Sequence, residues 1–312
     1  MRDFQQIEWD ADLIDDCRQL IRLAIREDLG RQHDWTSVAL VDPDREGAAA
    51  LVARQAGIVA GLPVGELVLA EAGGTLQWRA KCHDGDSCDS GMELAVMSGK
   101  VRELLTLERI VLNFLGRLCG IATHTRQFVD ATAGTKARIY DTRKTTPGWR
   151  RLEKYAVRCG GGNNHRLGLY DHLLIKDNHL AFLREQVAAA GDATDEIAGL
   201  AVRRARAFLQ QQGGDAMLAA TVIEIEVDTH EQLRQALAER PDVVLLDNMR
   251  PEQLKLAVAL RDSVAPETEL EASGGIRLET LPAIAASGVE RISAGALTHA
   301  AVSLDIGLDW RA

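Results

Sequence analysis

The sequence predicts an α/β protein built on a parallel β/α barrel. After residue 135, short apolar segments that suit strands alternate with helical segments, which is typical of parallel strands joined by right-handed crossovers. Each predicted strand also ends in polar residues. In an open doubly wound sheet, only the strand ends at the switch point carry ligand-binding polar residues. In a barrel, all carboxyl strand ends meet at one mouth and each can carry them, so the barrel is favoured. The predicted strands are 137–142, 172–177, 221–228, 242–247, 269–273 and 289–294.

The composition is that of a globular protein with an acidic balance. The 312 residues are 46% hydrophobic and 26% charged, and the formal net charge is −10. Nucleic acids and anionic membranes require a broad basic surface, so neither is expected as a partner. Residues 1–30 lack the apolar core of a signal peptide, and no apolar run reaches the roughly 20 residues of a membrane-spanning helix. The five cysteines show no CxxC spacing, so we expect reduced thiols and a cytoplasmic location.

The first hundred residues are expected to begin with a helix over about residues 10–28, followed by mixed strands and turns. Within residues 83–99, turn-forming residues at 84–86 and at Gly91 separate short alternating segments. This pattern resembles the hairpin of biotinyl and lipoyl carrier domains, but Met97 occupies the region of the lysine that those domains modify. A structural β-hairpin is therefore the preferred interpretation.

A long helix is predicted to begin at Val101. Its apolar residues fall on one broad arc at about 100° per residue, which predicts a buried face. The opposite, narrow stripe consists of Arg109, Asn113, Gly116 and Gly120. Two interpretations of this stripe stay open, namely the close approach of another surface and simple exposure to water.

One predicted strand carries acids on a single face. In residues 221–228, Glu224, Glu226 and Asp228 alternate with apolar residues and so share a face. A parallel strand normally has both faces buried and is apolar throughout. The acids therefore indicate a polar surrounding, such as a barrel mouth that contains cations or a metal. The alternative is an edge strand that exposes this face to water.

The last two predicted strands end in small residues. One is followed by residues 273–275 (SGG) and the other by residues 293–295 (SAG), and each tripeptide is expected to lead into a helix. Backbone N–H groups that no Cβ atom covers bind anions at helix starts, and barrels often bind a phosphate after their last strands. The two tripeptides together predict a phosphate ligand.

Cations gather between residues 141 and 176, although the chain is acidic overall. This segment contains eight basic residues and three acids. A phosphate monoester carries a charge of about −1.5 to −2 at neutral pH. One such group therefore does not need as many cations as this segment contains. We therefore expect a ligand, or two ligands, with several anionic groups. The cations expected at the mouth, together with one histidine, are Arg143, Lys144, His165, Arg166 and Lys176.

Two further sets of charged residues complete this prediction. Glu226 and Asp247, at neighbouring strand ends, suit Mg²⁺ bound against phosphate oxygens, either directly or through water. The remaining basic residues of the segment are at helical spacing and are expected on a solvated helix face. These residues are Arg150, Arg151, Lys154 and Arg158.

Four segments resemble the nicotinate-nucleotide pyrophosphorylase family, whose members are also called quinolinate phosphoribosyltransferases. The match covers about residues 105–300 in order, and the amino-terminal region fits more loosely. The second segment is highly specific, because no general structural requirement dictates so many consecutive residues. The segments are "ERIVLNFLGRLCGIAT" (108–123), "DTRKTTPGWRRLEKYAVRCGGGNNHRLGLYDHLLIKDNH" (141–179), "EIEVD" with "LLDNM" (224–228, 245–249), and "EASGGI" with "SAGALTH" (271–276, 293–299).

The resemblance implies an amino-terminal α/β sandwich domain followed by an incomplete, open parallel β/α barrel. The sandwich domain would span residues 1–112, with residues 300–312 as a candidate addition, and the barrel would span residues 113–299. Catalysis would involve Lys144, Lys176, Glu226 and Asp247, the last two also holding Mg²⁺. Quinolinate would contact Arg109, Thr142, Arg143, Lys144, His165, Arg166 and Lys176. Phosphoribosyl pyrophosphate would contact Lys144, Glu226, Asp247, Ser273, Gly274, Gly275, Ser293, Ala294 and Gly295.

In this family, quinolinate and phosphoribosyl pyrophosphate yield nicotinate mononucleotide, pyrophosphate and CO₂, as a step of NAD biosynthesis. The resemblance also implies a homodimer, or a dimer-based oligomer, in which Arg109 reaches the site of the neighbouring subunit. Two other functions stay open. A phosphoribosyltransferase for nicotinate would need fewer carboxylate-binding cations. A non-catalytic barrel that senses a phosphorylated metabolite would not need both Glu226 and Asp247.

Overall fold

The computed structural model describes residues 2–191 and 195–311. The helices are α1 (Ala11–Leu29), α2 (Trp35–Leu40), α3 (Leu62–Glu71), α4 (Val101–Ala131), α5 (Arg150–Cys159), α6 (Asp177–Ala189), α7 (Ile197–Ala220), α8 (His230–Ala238), α9 (Pro251–Val264), α10 (Leu281–Ala285) and α11 (Ala296–His299). The strands are β1 (Glu46–Ala53), β2 (Gly57–Ile58), β3 (Gln77–Ala80), β4 (Ser87–Cys88), β5 (Glu93–Lys100), β6 (Arg138–Tyr140), β7 (Leu173–Ile175), β8 (Ile223–Val227), β9 (Val243–Asp247), β10 (Glu269–Ser273), β11 (Arg291–Ser293) and β12 (Ile306–Arg311). No helix in these two ranges combines the length and the apolar character that crossing a membrane requires.

One compact unit, called the sandwich unit below, consists of Ile7–Gln127, Lys144–Gly162 and Ala296–Ala312. Its main sheet is antiparallel, with the strand order β12-β1-β5-β3. The predicted first helix is confirmed as α1, which begins where the Asp10 carboxylate accepts a hydrogen bond of 2.8 Å from the N–H of Leu13.

The hairpin predicted within residues 83–99 is wrong. Turns do occur at Gly85 and Gly91, where φ is +93° and +89°. The strands on either side of Gly91 nevertheless have other partners: β4 pairs with β2, and β5 lies between β1 and β3. The local alternation identified strands correctly, but their partners come from distant parts of the chain.

Each of the two interpretations of the narrow stripe on helix α4 is correct for two of its four residues. Arg109 and Asn113 are exposed. Gly116 and Gly120 are buried against the chain's own carboxyl-terminal segment, where a Cβ atom on Gly120 would lie 2.1 Å from the carbonyl oxygen of Val302. The glycines therefore allow the close approach of another surface, which is a segment of the same chain, whereas the two polar residues of the stripe are exposed to water. The buried apolar face is confirmed by Leu104, Leu107, Ile110, Val111, Phe114, Leu115 and Leu118.

Helix α5 does not present the solvated cationic face that its sequence predicted. Lys154 is fully buried, Arg150 and Arg151 are half-buried, and Arg158 is exposed. The cause is that α5 packs against both α1 and α11 in the sandwich unit. Spacing alone indicates which residues share a face, but not whether another helix covers it.

The second compact unit, called the barrel unit, consists of Met1–Gln6, Phe128–Arg143 and Asn163–Gly295. Its parallel sheet has the strand order β6-β11-β10-β9-β8-β7, which confirms the predicted strands. Strands β6 and β7 form the two ends of the sheet, and no ladder joins them in the described residues, so the barrel is open as expected. The predicted domain boundary after residue 112 falls inside α4 and stays a prediction.

Candidate active site

The carboxyl ends of the barrel strands bring most of the predicted site residues into one unit. Arg109 and Lys144 belong to the sandwich unit. The predicted residues in the barrel unit are Thr142, Arg143, His165, Arg166, Lys176, Glu226, Asp247, Ser273, Gly274, Gly275, Ser293, Ala294 and Gly295.

Lys176 and Glu226 form an ion pair at the ends of two neighbouring strands. Lys176 directly follows β7, Glu226 lies in β8, and the two strands are parallel partners. The Nζ atom of Lys176 lies 2.9 Å from Oε2 of Glu226, and the lysine side chain is 46% exposed. An anionic ligand can therefore reach the ammonium group and compete with the carboxylate for it.

Arg143 and Arg166 present buried hydrogen-bond donors that the described protein leaves unpaired. Their Nε atoms are both buried, and neither has a hydrogen-bond partner among residues 2–191 and 195–311. Burial, and then the positive charge of Arg143, lower the pKa of Arg166. Two nearby guanidinium groups with unsatisfied donors are unfavourable unless an anion pairs with them. This arrangement is the strongest structural indication of an anion-binding site.

His165 lies next to these cations and contacts two buried carboxylates. Its Nε2 atom is 3.0 Å from Oε2 of Glu224 and 3.5 Å from Oε1 of Glu271. Both glutamates are fully buried. Burial alone would lower the pKa of His165, but the negative charges of the two glutamates outweigh it and raise the pKa to about 10.

The other ring nitrogen of His165 fixes its tautomer. Nδ1 accepts a hydrogen bond of 2.8 Å from the N–H of Arg166. A nitrogen that accepts carries no proton, so in this arrangement the ring is the neutral Nε2–H form, with Nε2 facing the two glutamates. The carboxylates favour a second proton, but taking it up would break the bond to Arg166. The bond to Arg166 therefore belongs to the neutral ring, and Nε2 carries a proton in both the neutral and the protonated ring.

Two groups of side chains carry atoms of the kinds that bind metal ions. The ligand atoms of His165, Glu224 and Glu271 lie within 4.8 Å of one another. Nε2 carries a proton in both the neutral and the protonated ring, however, and has no lone pair to give to a metal while Nδ1 accepts from Arg166. Glu226 and Asp247 offer carboxylate oxygens on the adjacent strands β8 and β9, which is the ligand type that Mg²⁺ prefers. The second group therefore fits Mg²⁺ and the first does not.

Residues 273–275 form a tight turn beside Asp247. Ser273 pairs with Asp247 in the ladder of β9 and β10. Gly274 has φ of +89°, and a Cβ atom there would lie 2.3 Å from Oδ1 of Asn248, so only glycine fits. The expectation that this turn leads directly into a helix is wrong, because α10 begins only at Leu281.

Residues 293–295 do lead directly into a helix, but α11 has only four residues. The N–H of Ala294 donates to the carbonyl oxygen of Tyr140 at 3.0 Å. This N–H is therefore engaged within the sheet, and the assignment of residues 293–295 to a phosphate stays a prediction. Ser293, the last residue of β11, is buried.

The two predicted residues of the sandwich unit are both exposed at their side chains. The Arg109 side chain is 65% exposed and forms a long ion pair of 4.0 Å with Glu108. The carbonyl oxygen of Lys144 accepts a hydrogen bond of 2.8 Å from the hydroxyl of Thr298.

Two acids of the site were missed by sequence reasoning. Glu271 alternates with Glu269 along β10, the same signal that singled out Glu224 in β8. Asp141 is fully buried, and its carboxylate accepts the N–H of His165 at 2.9 Å and the side-chain amide of Asn164 at 2.7 Å. Asp141 lies at the end of the predicted strand 137–142, but nothing local in the sequence shows that it holds residues more than twenty positions away.

Comparisons with known proteins agree along the length of the chain. Residues 34–119 and 121–309 match the models for the N-terminal and C-terminal domains of quinolinate phosphoribosyl transferase. The nicotinate-nucleotide pyrophosphorylase [carboxylating] of Mycobacterium leprae is 45% identical over 297 residues, covering 95% of this chain and 97% of that protein. A quinolinate phosphoribosyltransferase [decarboxylating] of Nicotiana tabacum is 37% identical over 94% of this chain and 82% of its own. The solved nicotinate-nucleotide pyrophosphorylase of Francisella tularensis has a TM-score of 0.85 at 32% identity and covers 99% of this chain and 100% of its own. The chain belongs to the quinolinate phosphoribosyl transferase family.

Proposed function

We propose that this protein transfers the 5-phosphoribosyl group of phosphoribosyl pyrophosphate to quinolinate and removes one carboxylate, giving nicotinate mononucleotide, pyrophosphate and CO₂. This is a pentosyl transfer in NAD biosynthesis. The observation that carries the proposal is the pair of buried, unpaired Nε donors of Arg143 and Arg166, in a chain of this family. Guanidinium groups bind carboxylates in a bidentate manner, and quinolinate has two carboxylates.

Each group of site residues has a role in this reaction. Arg143, Arg166 and Lys176 would hold the quinolinate carboxylates, together with Thr142, Lys144, His165 and Arg109. The turns at 273–275 and 293–295 would hold the 5-phosphate, and Lys144 would also contact phosphoribosyl pyrophosphate. Glu226 and Asp247 would hold Mg²⁺, which neutralises charge on the phosphate oxygens when bound.

The chemistry requires stabilisation of charge more than proton transfer. As the bond between the ribose carbon and pyrophosphate breaks, negative charge grows on the leaving group, and fixed cations such as Lys144 stabilise it. Glu226 or Asp247 would ease the positive charge on the sugar. Attack by the ring nitrogen makes that nitrogen positive. The adjacent carboxylate then leaves as CO₂, because the electron pair left on carbon lies beside the positive nitrogen, and this carbon takes up a proton.

A turnover assay tests the proposal. The protein is incubated with phosphoribosyl pyrophosphate, Mg²⁺ and quinolinate labelled in the carboxylate next to the ring nitrogen. We expect labelled CO₂ and nicotinate mononucleotide in equal amounts. Nicotinate, offered in place of quinolinate, should not turn over, because it lacks the second carboxylate. Turnover of nicotinate would support the monocarboxylate alternative, and binding without any turnover would support a sensor.

We also propose a homodimer, or a dimer-based oligomer, in which Arg109 reaches the site of a neighbouring subunit. The exposed guanidinium of Arg109 on α4 supports this assignment. A cytoplasmic location is proposed with it, since all five cysteines are free thiols, as in a reducing compartment.

A further inference from the structure

The amino-terminal segment, defined here as residues 2–6, is part of the barrel unit, whereas the chain from Ile7 onward belongs to the sandwich unit. Phe4, at its centre, is 3% exposed and packs in a buried cluster with Tyr140, Val222 and Val243. The matched family domains begin at residue 34, after this segment.

Phe4 contacts both ends of the open sheet. Its ring meets that of Tyr140, the last residue of β6, edge-on at 6.3 Å between centroids. It also meets His172, the residue before β7, edge-on at 5.2 Å. Strands β6 and β7 are the two ends that no ladder joins in the described residues. The Phe4 ring therefore bridges the two unpaired ends of the open barrel.

Polar contacts on both sides of Phe4 fix the segment in place. The Asp3 carboxylate pairs with Arg138 at 3.0 Å and with the buried Arg291 at 3.1 Å, and it accepts the hydroxyl of Tyr140 at 2.8 Å. The Gln6 side chain accepts the N–H of Asn164 at 2.8 Å and donates to its carbonyl oxygen at 3.2 Å. Such reciprocal bonds set the position of Asn164, the residue before His165.

The same segment reaches the candidate active site through His165. The Phe4 ring is stacked on the imidazole, with 4.2 Å between centroids and 28° between planes. The imidazole in turn accepts the N–H of Arg166 through Nδ1. Contacts thus run without interruption from the amino-terminal segment to Arg166, one of the two residues with an unpaired buried Nε donor.

We propose that Phe4 and Gln6 are positioning residues for the quinolinate-binding cations. Phe4 fixes the plane of the His165 imidazole, Gln6 fixes the backbone that precedes it, and together they hold Arg166 in the orientation that accepts an aromatic dicarboxylate. This inference rests on the proposed function, because it names part of the same site.

A flat ring is suited to this task. The imidazole can turn about its bond to Cβ, and such a turn would move the ring out of the plane in which Nδ1 meets the N–H of Arg166. Stacking against Phe4 opposes the turn, because an offset-stacked pair has a preferred mutual orientation. An aliphatic side chain of similar size would fill the space without setting the plane. Phe4→Leu therefore separates positioning from the filling of volume.

The decisive experiment compares Phe4→Leu with Phe128→Leu, which shortens another buried phenylalanine of the barrel unit. We expect Phe4→Leu to raise the KM for quinolinate by about 10- to 100-fold, the scale on which a small misplacement of a binding group acts. Its KM for phosphoribosyl pyrophosphate should change by less than about twofold, since that ligand does not use Arg166. Phe128→Leu should lower the thermal midpoint to a similar extent and leave both KM values unchanged.

A second variant and a second readout keep the test decisive if Phe4→Leu folds poorly. Gln6 is half-buried, so Gln6→Ala should fold, and we expect it to raise the same KM selectively. In ¹⁵N NMR spectra the wild type should show a single ring orientation of His165, and Phe4→Leu should show exchange between ring orientations. Binding of quinolinate to both variants, measured by calorimetry, should weaken in parallel with the change in KM.

Three results would overturn the inference: wild-type KM values in Phe4→Leu and Gln6→Ala, equal rises in both KM values, or the same selective rise in Phe128→Leu. These results differ from failure of the proposed function, in which the wild type itself would form no nicotinate mononucleotide from quinolinate. Even then, calorimetry and NMR would still show whether Phe4 orients His165.

Discussion

At the scale of single residues, the cations of the barrel mouth differ in how fully the protein satisfies them. Lys176 has Glu226 at 2.9 Å, so it can release a carboxylate when an anion arrives. Arg143 and Arg166 have buried Nε atoms without a partner in the residues that the structure describes. A ligand that pairs with these donors gains more binding free energy than a ligand that only displaces Glu226 from Lys176, because an unpaired buried donor destabilises the free protein.

Arg143→Ala should therefore act mainly on quinolinate capture. A hydrogen bond to a charged group contributes about 1.5 to 3 kcal/mol, so we expect the KM for quinolinate to rise by about 10- to 100-fold. Arg204→Ala, which removes an exposed arginine on α7, is the control and should leave the KM unchanged. Steady-state kinetics with quinolinate as the varied substrate give the answer. An unchanged KM in Arg143→Ala would contradict the assignment of this residue.

Gly274→Ala tests the turn that is proposed to hold the phosphate. Its Cβ atom would meet Oδ1 of Asn248 at 2.3 Å, in addition to the cost of φ at +89°. Gly134 has φ of +82° with no neighbour within 4 Å, so Gly134→Ala measures the cost of the backbone conformation alone. We expect Gly274→Ala to be the more destabilising by about 1 to 3 kcal/mol and to raise the KM for phosphoribosyl pyrophosphate. Chemical denaturation and kinetics of the two variants decide this, and equal destabilisation would count against the proposed collision.

At the scale of elements, one carboxylate joins three parts of the barrel unit. Glu290, just before β11, accepts hydrogen bonds of 2.8 and 2.9 Å from Arg261 of α9 and one of 2.9 Å from the N–H of Leu270 in β10. Burial disfavours its charged form, but Arg261, the Leu270 N–H and Lys136 outweigh burial and lower the pKa of Glu290 from 4.5 to about 2. The charged carboxylate therefore stabilises the folded state.

This shift predicts a pH dependence of stability. A carboxyl whose pKa is lower in the folded state contributes fully above its unfolded pKa, so the contribution of Glu290 should be lost as the pH falls from 4.5 to about 2. At pH 7, Glu290→Gln should lower the free energy of unfolding by about 2 kcal/mol, with the difference shrinking as the pH falls through this window. Glu252→Gln, at an exposed glutamate of α9, should have little effect. Urea denaturation across this pH range tests the prediction, and a difference that does not depend on pH would refute it.

The elements also show what the sequence could reveal. The barrel strands were predictable because each is a short apolar segment with its own polar end, as in Val243–Asp247. The pairing of β4 with β2 was not, because Gly57 and Cys88 are far apart in sequence. The burial of Lys154 was missed for the same reason, since the helices that pack on α5 come from both ends of the chain.

The site was predictable in a similar way. Residues at strand ends, such as Lys176 and Asp247, were found because a parallel sheet gathers its carboxyl ends at one edge. Phe4, Asp141 and Glu271 were missed, because they act on His165 across long stretches of sequence. A residue that binds a ligand can be recognised in the sequence by its functional group. A residue that positions another residue is recognised only by its contacts in the folded structure.

At the scale of the whole molecule, the proposed dimer makes each active site depend on two chains. Arg109→Ala and Lys176→Ala should each be nearly inactive alone. When the two variants are mixed and exchange subunits, half of the dimers should be hybrids. Each hybrid should have one site in which both residues are intact. Activity should therefore return to about a quarter of the wild-type value if Arg109 acts across the interface. No recovery despite confirmed exchange, for example by mass spectrometry of the hybrid, would place Arg109 in its own chain's site.

The most direct measurement of the central claim is a crystal structure with quinolinate bound. The account predicts that the quinolinate carboxylates lie within hydrogen-bonding distance of the Nε atoms of Arg143 and Arg166 and of Nζ of Lys176, at the carboxyl ends of the barrel strands. Quinolinate bound elsewhere, with these two Nε atoms still unpaired, would contradict it.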